Sequence, residues 1–174
     1  MTTHPTPIPD SYWVIPGQFL AGEYPLHADM EESRRRISAY IKAGIDTFID
    51  LTVPGELVPY EPFVRAEGRS SHHEITYHRF SIGDYGLPTK EQMKTILDTI
   101  DAAITAGHKV YLHCWGGVGR TGTTVGCFLV RHGKTGNEAL GQLAKWWQDV
   151  PKSERFPRSP ETSAQAQFIL NWNE

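Results

Sequence analysis

The stretch Lys109-Val-Tyr-Leu-His-Cys-Trp-Gly-Gly-Val-Gly-Arg-Thr-Gly122 constrains this chain more than any other. Lys109–His113 is a short apolar run that reads as a buried strand. Glycines at 116, 117 and 119 then crowd a loop that a cysteine opens and an arginine closes. From Thr121 to His132 charge is almost absent, and a helix apolar all round is a central one. A buried strand feeding a buried helix through a tight loop needs covering layers on both sides.

The flanking segments supply those layers. Tyr12–Ile15 and Gln18–Ala21 flank Pro16-Gly17, which predicts two short strands about a turn. Asp29, with Glu32 three residues on, opens a helix carrying Ile37, Tyr40 and Ile41, and Gly44 stops it. The consecutive Arg34, Arg35 and Arg36 point in different directions around that helix and predict a solvated face. Ile45–Leu51 and Glu74–Phe80 read as strands; the Pro- and Gly-punctuated stretch between them, to about Ser71, carries no clear pattern. Thr89 with Gln92 opens a helix whose Met93, Ile96, Leu97, Ile100, Ala103 and Ile104 form the cleanest amphipathic stripe, ending at Gly107. Thr135 with Glu138 opens another, with Leu140, Leu143, Ala144 and Trp147 on one face and Pro151 beyond it. Pro160 to Trp172 reads as the last helix, with Phe168, Ile169 and Trp172 inward.

Strands alternating with helices predict a single α/β domain over residues 12–174, with a mostly parallel central sheet and helices on both faces. Residues 1–11, rich in Pro and Thr, are expected to form a loose arm. In such sheets ligands bind beyond the carboxyl ends of the strands, where the loop at 114–120 lies.

A formal net charge of -3 over 174 residues offers no global field for nucleic acid or acidic lipid, so neither is expected as a partner. The first ten residues have no basic start and no apolar run, so they do not read as a signal peptide, and no stretch is apolar for long enough to span a bilayer. Cys114 and Cys127 make no disulfide framework, and a reducing, cytoplasmic setting is expected. No metal-ligand spacing appears among the eight histidines, and His72-His73 reads as an exposed loop pair. No metal or other cofactor is expected.

An anion site must therefore be local, and the loop can make one. Its glycines let the backbone curl so that successive N–H groups at Trp115, Gly116, Gly117, Val118 and Gly119 face inward as a nest. The helix that follows adds free donors and partial positive charge. Cys114 in that field is favoured as a thiolate nucleophile. Arg120 can hold two phosphate oxygens at once, which lysine cannot. Thr121 can donate its hydroxyl to the sulfur when sulfur must leave. His113 reads equally well as a loop-orienting group and as a satisfied core histidine.

His113-Cys114-Trp-Gly-Gly-Val-Gly-Arg120-Thr121-Gly122 resembles the signature of the cysteine-dependent protein tyrosine and dual-specificity phosphatases, His-Cys-x-x-Gly-x-Gly-Arg-Ser/Thr-Gly, at every defined position. The resemblance is strongest over roughly residues 76 to 132. It implies a protein tyrosine phosphatase-like fold and two in-line displacements through a cysteinyl-phosphate. It also implies a general acid about thirty residues upstream, because the leaving oxygen must be protonated as the P–O bond breaks. Asp84 lies there, in Ser81-Ile-Gly-Asp-Tyr-Gly-Leu-Pro88, which departs from the Trp-Pro-Asp of classical members and is similar to the Asp-x-Gly-x-Pro loop of kinase-associated and other compact dual-specificity members. Asp50 and Glu56 are weaker rivals for the acid. Gln165 matches the family's water-positioning glutamine, although Thr162 with Gln165 is also a capping box.

The expected substrate is a phosphorylated protein or peptide, with phosphotyrosine and also phosphoserine or phosphothreonine accepted. Inositol polyphosphate is the enzymatic alternative, although Trp115, Gly116 and Gly117 include no lysine to hold a multiply charged headgroup. A non-catalytic phosphate-reading module would be expected to lack Cys114 or Asp84, and both are present. Gly117-Val-Gly-Arg-Thr-Gly122 also fits a dinucleotide fingerprint, but residues 135–148 read as a helix where that motif needs a strand ending in Asp or Glu.

Overall fold

The computed structural model describes residues 4–174. The apolar runs become five strands, β1 (Ser11–Ile15), β2 (Phe19–Gly22), β3 (Thr47–Asp50), β4 (Thr76–Arg79) and β5 (Val110–His113). They form one sheet in the spatial order β1-β2-β5-β3-β4. Among the described residues only the β1–β2 hairpin is antiparallel; β2–β5, β3–β5 and β3–β4 are parallel.

Six helices cover the sheet: α1 (Met30–Lys42), α2 (Glu61–Ser70), α3 (Lys90–Thr105), α4 (Arg120–Arg131), α5 (Gly136–Gln148) and α6 (Ser163–Leu170). The period-two alternation of the strands decides which face each helix takes. Tyr111, Leu20 and Phe48 point to one face and pack with Ile37, Tyr40 and Ile41 of α1 and Val64 of α2. Val110, Leu112, Phe19 and Ile49 point to the other, where they meet Met93, Ile96 and Leu97 of α3, Val125 and Phe128 of α4, Leu143 of α5 and Ile169 of α6. The expected α/β architecture is what the chain forms. As its composition predicts, α4 is central: every residue from Arg120 to Leu129 is buried.

Three segments differ from the sequence reading. The stretch without a pattern contains α2, in which Pro62 sits in the first turn, where its missing N–H costs nothing. Only Val64 and Gly68 are buried there, too few to make a stripe. A Cβ on Gly68 would stand 2.5 Å from Ile75 Cγ1 and 2.8 Å from the His73 carbonyl, so close approach requires glycine. Arg34 and Arg35 are solvated, but Arg36 is not: it pairs with Glu23 at 2.8 Å with a side chain only 11% exposed. The expected loose arm is anchored over its second half. Ile8 is buried in the α1–α2 cluster, and Asp10 Oδ1 accepts from the Lys152 amide at 3.0 Å. Its residues 1–3 lie outside the described ones.

The strands end level with one another. Gly22 and Asp50 both register with His113, and Asp50 registers with Arg79. The loop from Cys114 to Gly119 rises from that carboxyl edge.

Candidate active site

Cys114 lies at the base of the loop, 3% exposed. The loop carbonyls are turned outward and held by five separate groups. His113 Nδ1 bonds Cys114 O at 2.8 Å, Tyr24 N bonds Trp115 O at 2.9 Å, and Lys152 Nζ bonds Gly116 O at 3.1 Å. Ser159 Oγ bonds Val118 O at 2.7 Å, and Thr123 bonds Gly119 O through both its amide and its hydroxyl. Among the described residues, no amide from Trp115 to Gly119 donates to a protein acceptor. Peptide planes whose carbonyls are fixed outward direct their N–H groups inward, and an uncommitted row of them is an anion nest. Gly117 makes this curl sterically feasible. Its φ is +74°, and a Cβ there would stand 2.5 Å from the Gly22 carbonyl carbon.

His113 is fully buried, and burial holds its imidazole below the usual range, so it is neutral. A carbonyl only accepts, so the ring proton is on Nδ1 and Nε2 accepts from the Tyr60 hydroxyl at 2.6 Å. The loop-orienting reading of His113 and the core reading are thus the same bond network. Asp50 stands behind it, 4.0 Å from Nε2, accepting from Thr52, Tyr77 and Arg79. Burial opposes its ionisation, but hydrogen bonds from Thr52 and Tyr77 favour the charged form, and the carboxyl is held below its usual range. At 1% exposure Asp50 supports the loop and is not a general acid.

Arg120 is also buried, and four of its five N–H groups are engaged. Nη1 donates to Glu56 Oε2 at 2.9 Å and to the Ile82 carbonyl at 2.8 Å; Nη2 donates to Glu56 Oε1 at 2.6 Å and to Asp84 Oδ1 at 3.3 Å. The Glu56 contact is a fork-to-fork pair, and its carboxyl is held below the usual range first by Arg120. Glu56 therefore orients the arginine and is not a rival acid, a role that residue type and spacing do not reveal. Asp84 is the longest and most exposed of these contacts, with a side chain 44% exposed. It sits in a loop tied down by Gln92 to Ser81 O, by Arg120 to Ile82 O and by Gln165 to Gly86 O. The structure brings Asp84, Arg120 and Cys114's loop together.

Gln165 is fully buried and caps α6: Oε1 accepts from the Glu161 and Thr162 amides at 3.1 Å each. It also lies against the Cys114–Gly119 loop, since a Cβ on Gly119 would stand 2.9 Å from both amide atoms of Gln165. Thr121 Oγ1 is buried without a hydrogen-bond partner among the described residues, and so is Tyr12 Oη. Burial pushes the Tyr12 phenol up. Trp115 contributes its amide to the nest and leaves its indole 55% exposed.

Glu161 is a residue the sequence reading missed. Its Oε2 would be 3.2 Å from a Cβ on Gly119, and its carboxyl is raised by burial and by Asp84, with Arg120 opposing. The capping box drew attention to Thr162 and Gln165 and away from the residue just before them. Cys127 is buried, which pushes its thiol up, and it lies about 10 Å along the axis of α4 from Arg120. No helix is long and apolar enough to cross a membrane among the described residues.

The chain is similar to protein tyrosine phosphatase domain-containing protein 1 of Mus musculus, 28% identical over 110 residues that make up 59% of this chain and 15% of that protein. It is similar to dual specificity protein phosphatase CDC14C of Homo sapiens, 26% identical over 132 residues, 71% of this chain and 26% of that one. The chain thus spans a minor part of these relatives. Its fold matches the crystal structure of Tk-PTP in the active form with a TM-score of 0.69 at 23% identity, covering 92% of this chain and 94% of that one. The model of the Swiss Army Knife protein DSP-PTPase phosphatase domain matches residues 9–169, so the chain belongs to that family of phosphatase domains.

Proposed function

We propose that the chain hydrolyses phosphate monoesters of phosphorylated proteins, phosphotyrosine and also phosphoserine and phosphothreonine, through a cysteinyl-phosphate. The observation that carries this reading is the loop itself: inward, uncommitted amides around Cys114, with Arg120 and Asp84 at its rim. The loop amides and Arg120 hold the equatorial phosphate oxygens. The Cys114 sulfur attacks phosphorus in line, the P–O bond to the leaving group breaks, and Asp84 transfers its proton to that oxygen. Asp84, now a carboxylate, takes a proton from water as that water attacks the phosphocysteine. The thiolate leaves, and the orphaned Thr121 hydroxyl is the donor assigned to it. Gln165, beside Gly119, is assigned to orienting the water. Two free cysteines accord with a reducing, cytoplasmic setting.

The test is turnover of an aryl phosphate in the presence of a chelator. Cys114→Ser is expected to abolish it while inorganic phosphate still binds. Turnover that requires a metal and survives Cys114→Ser would overturn the reading.

A further inference from the structure

A groove of about 720 Å³ runs beside the catalytic loop, between α1 and α2. Its walls are apolar, built from Met30, Ile37, Val58, Phe63 and Ala66, and Trp115 stands at its catalytic end. That volume falls within the range of small-molecule and side-chain sites. Seven large hydrophobic side chains are exposed among the described residues, and four of them line this groove: Met30, Val58, Phe63 and Trp115. Concentrated apolar exposure next to a reactive site marks a recognition surface.

The groove is built into the fold and continuous with the anion nest. The Tyr24 hydroxyl donates to Val58 O and so joins the segment before α1 to the segment before α2. The Tyr24 amide donates to Trp115 O. One residue, Trp115, therefore serves both sites, its amide facing the nest and its indole facing the groove. A ligand with its phosphate over Cys114 meets the groove on leaving the loop.

The charges around the groove identify the kind of ligand. Its lining ionisable groups are Arg34, His27, Glu67 and the Tyr24 phenol. Arg34 and Glu67 offset each other, and Arg34 also has Glu31 at 3.6 Å. Acidic membrane surfaces are recognised by clusters of several basic residues, and this lining has no such cluster. An acidic or basic peptide flank would gain nothing from it either. We propose that the groove receives large apolar side chains flanking the phosphorylated residue of a phosphoprotein substrate. This rests on the phosphatase reading above and assigns its sequence preference.

The experiment compares two phosphopeptides identical but for their flanks, one with Leu and Phe beside the phosphoresidue and one with Ser and Asn. A small aryl phosphate and vesicles of phosphatidic acid in phosphatidylcholine complete the substrate set. The full chain should show kcat/KM roughly 10–100-fold higher for the apolar-flanked peptide, as expected when a large side chain leaves water. Ala66→Glu and, separately, Phe63→Ser should bring that ratio to within about threefold, each variant being its own reference. Equal kcat/KM for the two peptides with the aryl phosphate turned over would overturn the groove assignment and leave the phosphatase reading standing. An unchanged ratio in both variants would also overturn it. Preference for the vesicles over both peptides would reassign the groove to acyl chains and overturn it as well. Failure on every substrate would instead overturn the phosphatase reading.

Discussion

Glu56→Gln is the most direct test of how the site is held together. Glu56 accepts two hydrogen bonds from Arg120, at 2.9 and 2.6 Å, and one from the Val53 amide at 3.0 Å through Oε2. The arginine side chain is 1% exposed and the glutamate 11%, so water cannot replace the lost partner. Breaking a buried pair by removing one partner costs about 3–5 kcal/mol. Glutamine keeps one acceptor oxygen but turns its NH₂ toward a guanidinium donor, so roughly 2 kcal/mol is expected for the lost charge-assisted bond. For a domain of this size that is a fall in Tm of about 4–8 °C. Arg120, no longer fixed, should also bind phosphate less well, with kcat/KM down by roughly 10–100-fold. The pH dependence has a defined sign. Arg120 holds the Glu56 carboxyl below its ordinary value, so its stabilisation is complete above that value and is lost as pH falls through the folded one. The difference in Tm between the two proteins, read by calorimetry, should therefore shrink as pH is lowered from about 5 toward 3. A Tm within 1 °C of the parent at pH 7, with kcat/KM within about twofold, would refute the claim that Glu56 orients the arginine.

Other positions make separate predictions. Asp84→Asn should slow aryl phosphate turnover by about 10²–10⁴-fold and flatten the alkaline limb of the kcat profile; an unchanged limb would remove Asp84 from the acid role. Glu161→Gln should lower the phosphate inhibition constant about two- to fivefold at pH 7 to 8. The Glu161 carboxyl is raised, so the parent repels the phosphate dianion only above that raised value, and the gain should vanish as pH falls below it. Equal inhibition constants across the range would show that Glu161 does not face the anion. Tyr60→Phe leaves His113 Nε2 buried without its donor, at a cost of roughly 1–3 kcal/mol. Its Tm should drop by about 2–12 °C, and an unaltered Tm would mean that Tyr60 does not set the histidine tautomer.

The parts of the molecule legible in the sequence are those where chemistry and spacing act over a few residues. The nest, Cys114 and Arg120 lie within one loop, and the caps at Asp29, Thr89, Thr135 and Thr162 each act over three residues. Glu56 reads as a rival acid in the sequence because its partner is 64 positions away and no local pattern announces a fork-to-fork pair. Arg36 looked like its two exposed neighbours because Glu23 reaches it from the segment before α1. The helix α2 leaves no pattern in the sequence because one valine and one glycine are its whole buried face, and glycine disfavours a helix except where, as against Ile75, close approach requires it. Gln165 could be read as a cap or as a site residue because its Oε1 caps α6 while the same amide lies on Gly119.

The outward-turned carbonyls of the Cys114–Gly119 loop are held from distant parts of the chain. Besides the adjoining His113 and Thr123, their holders are Tyr24 in the first part of the chain and Lys152 and Ser159 in the last, while the Gly22 backbone lies close against Gly117. The six residues from Cys114 to Gly119 thus take their shape from partners spread over most of the polypeptide. A peptide spanning residues 109–132 would carry the whole signature and still lack the cradle. On the phosphatase reading proposed above, oxyanion binding is a property of the assembled domain: a bound phosphate should raise the melting temperature of the entire chain in one transition, and phosphate affinity should report whether the distant holders of the loop have met it.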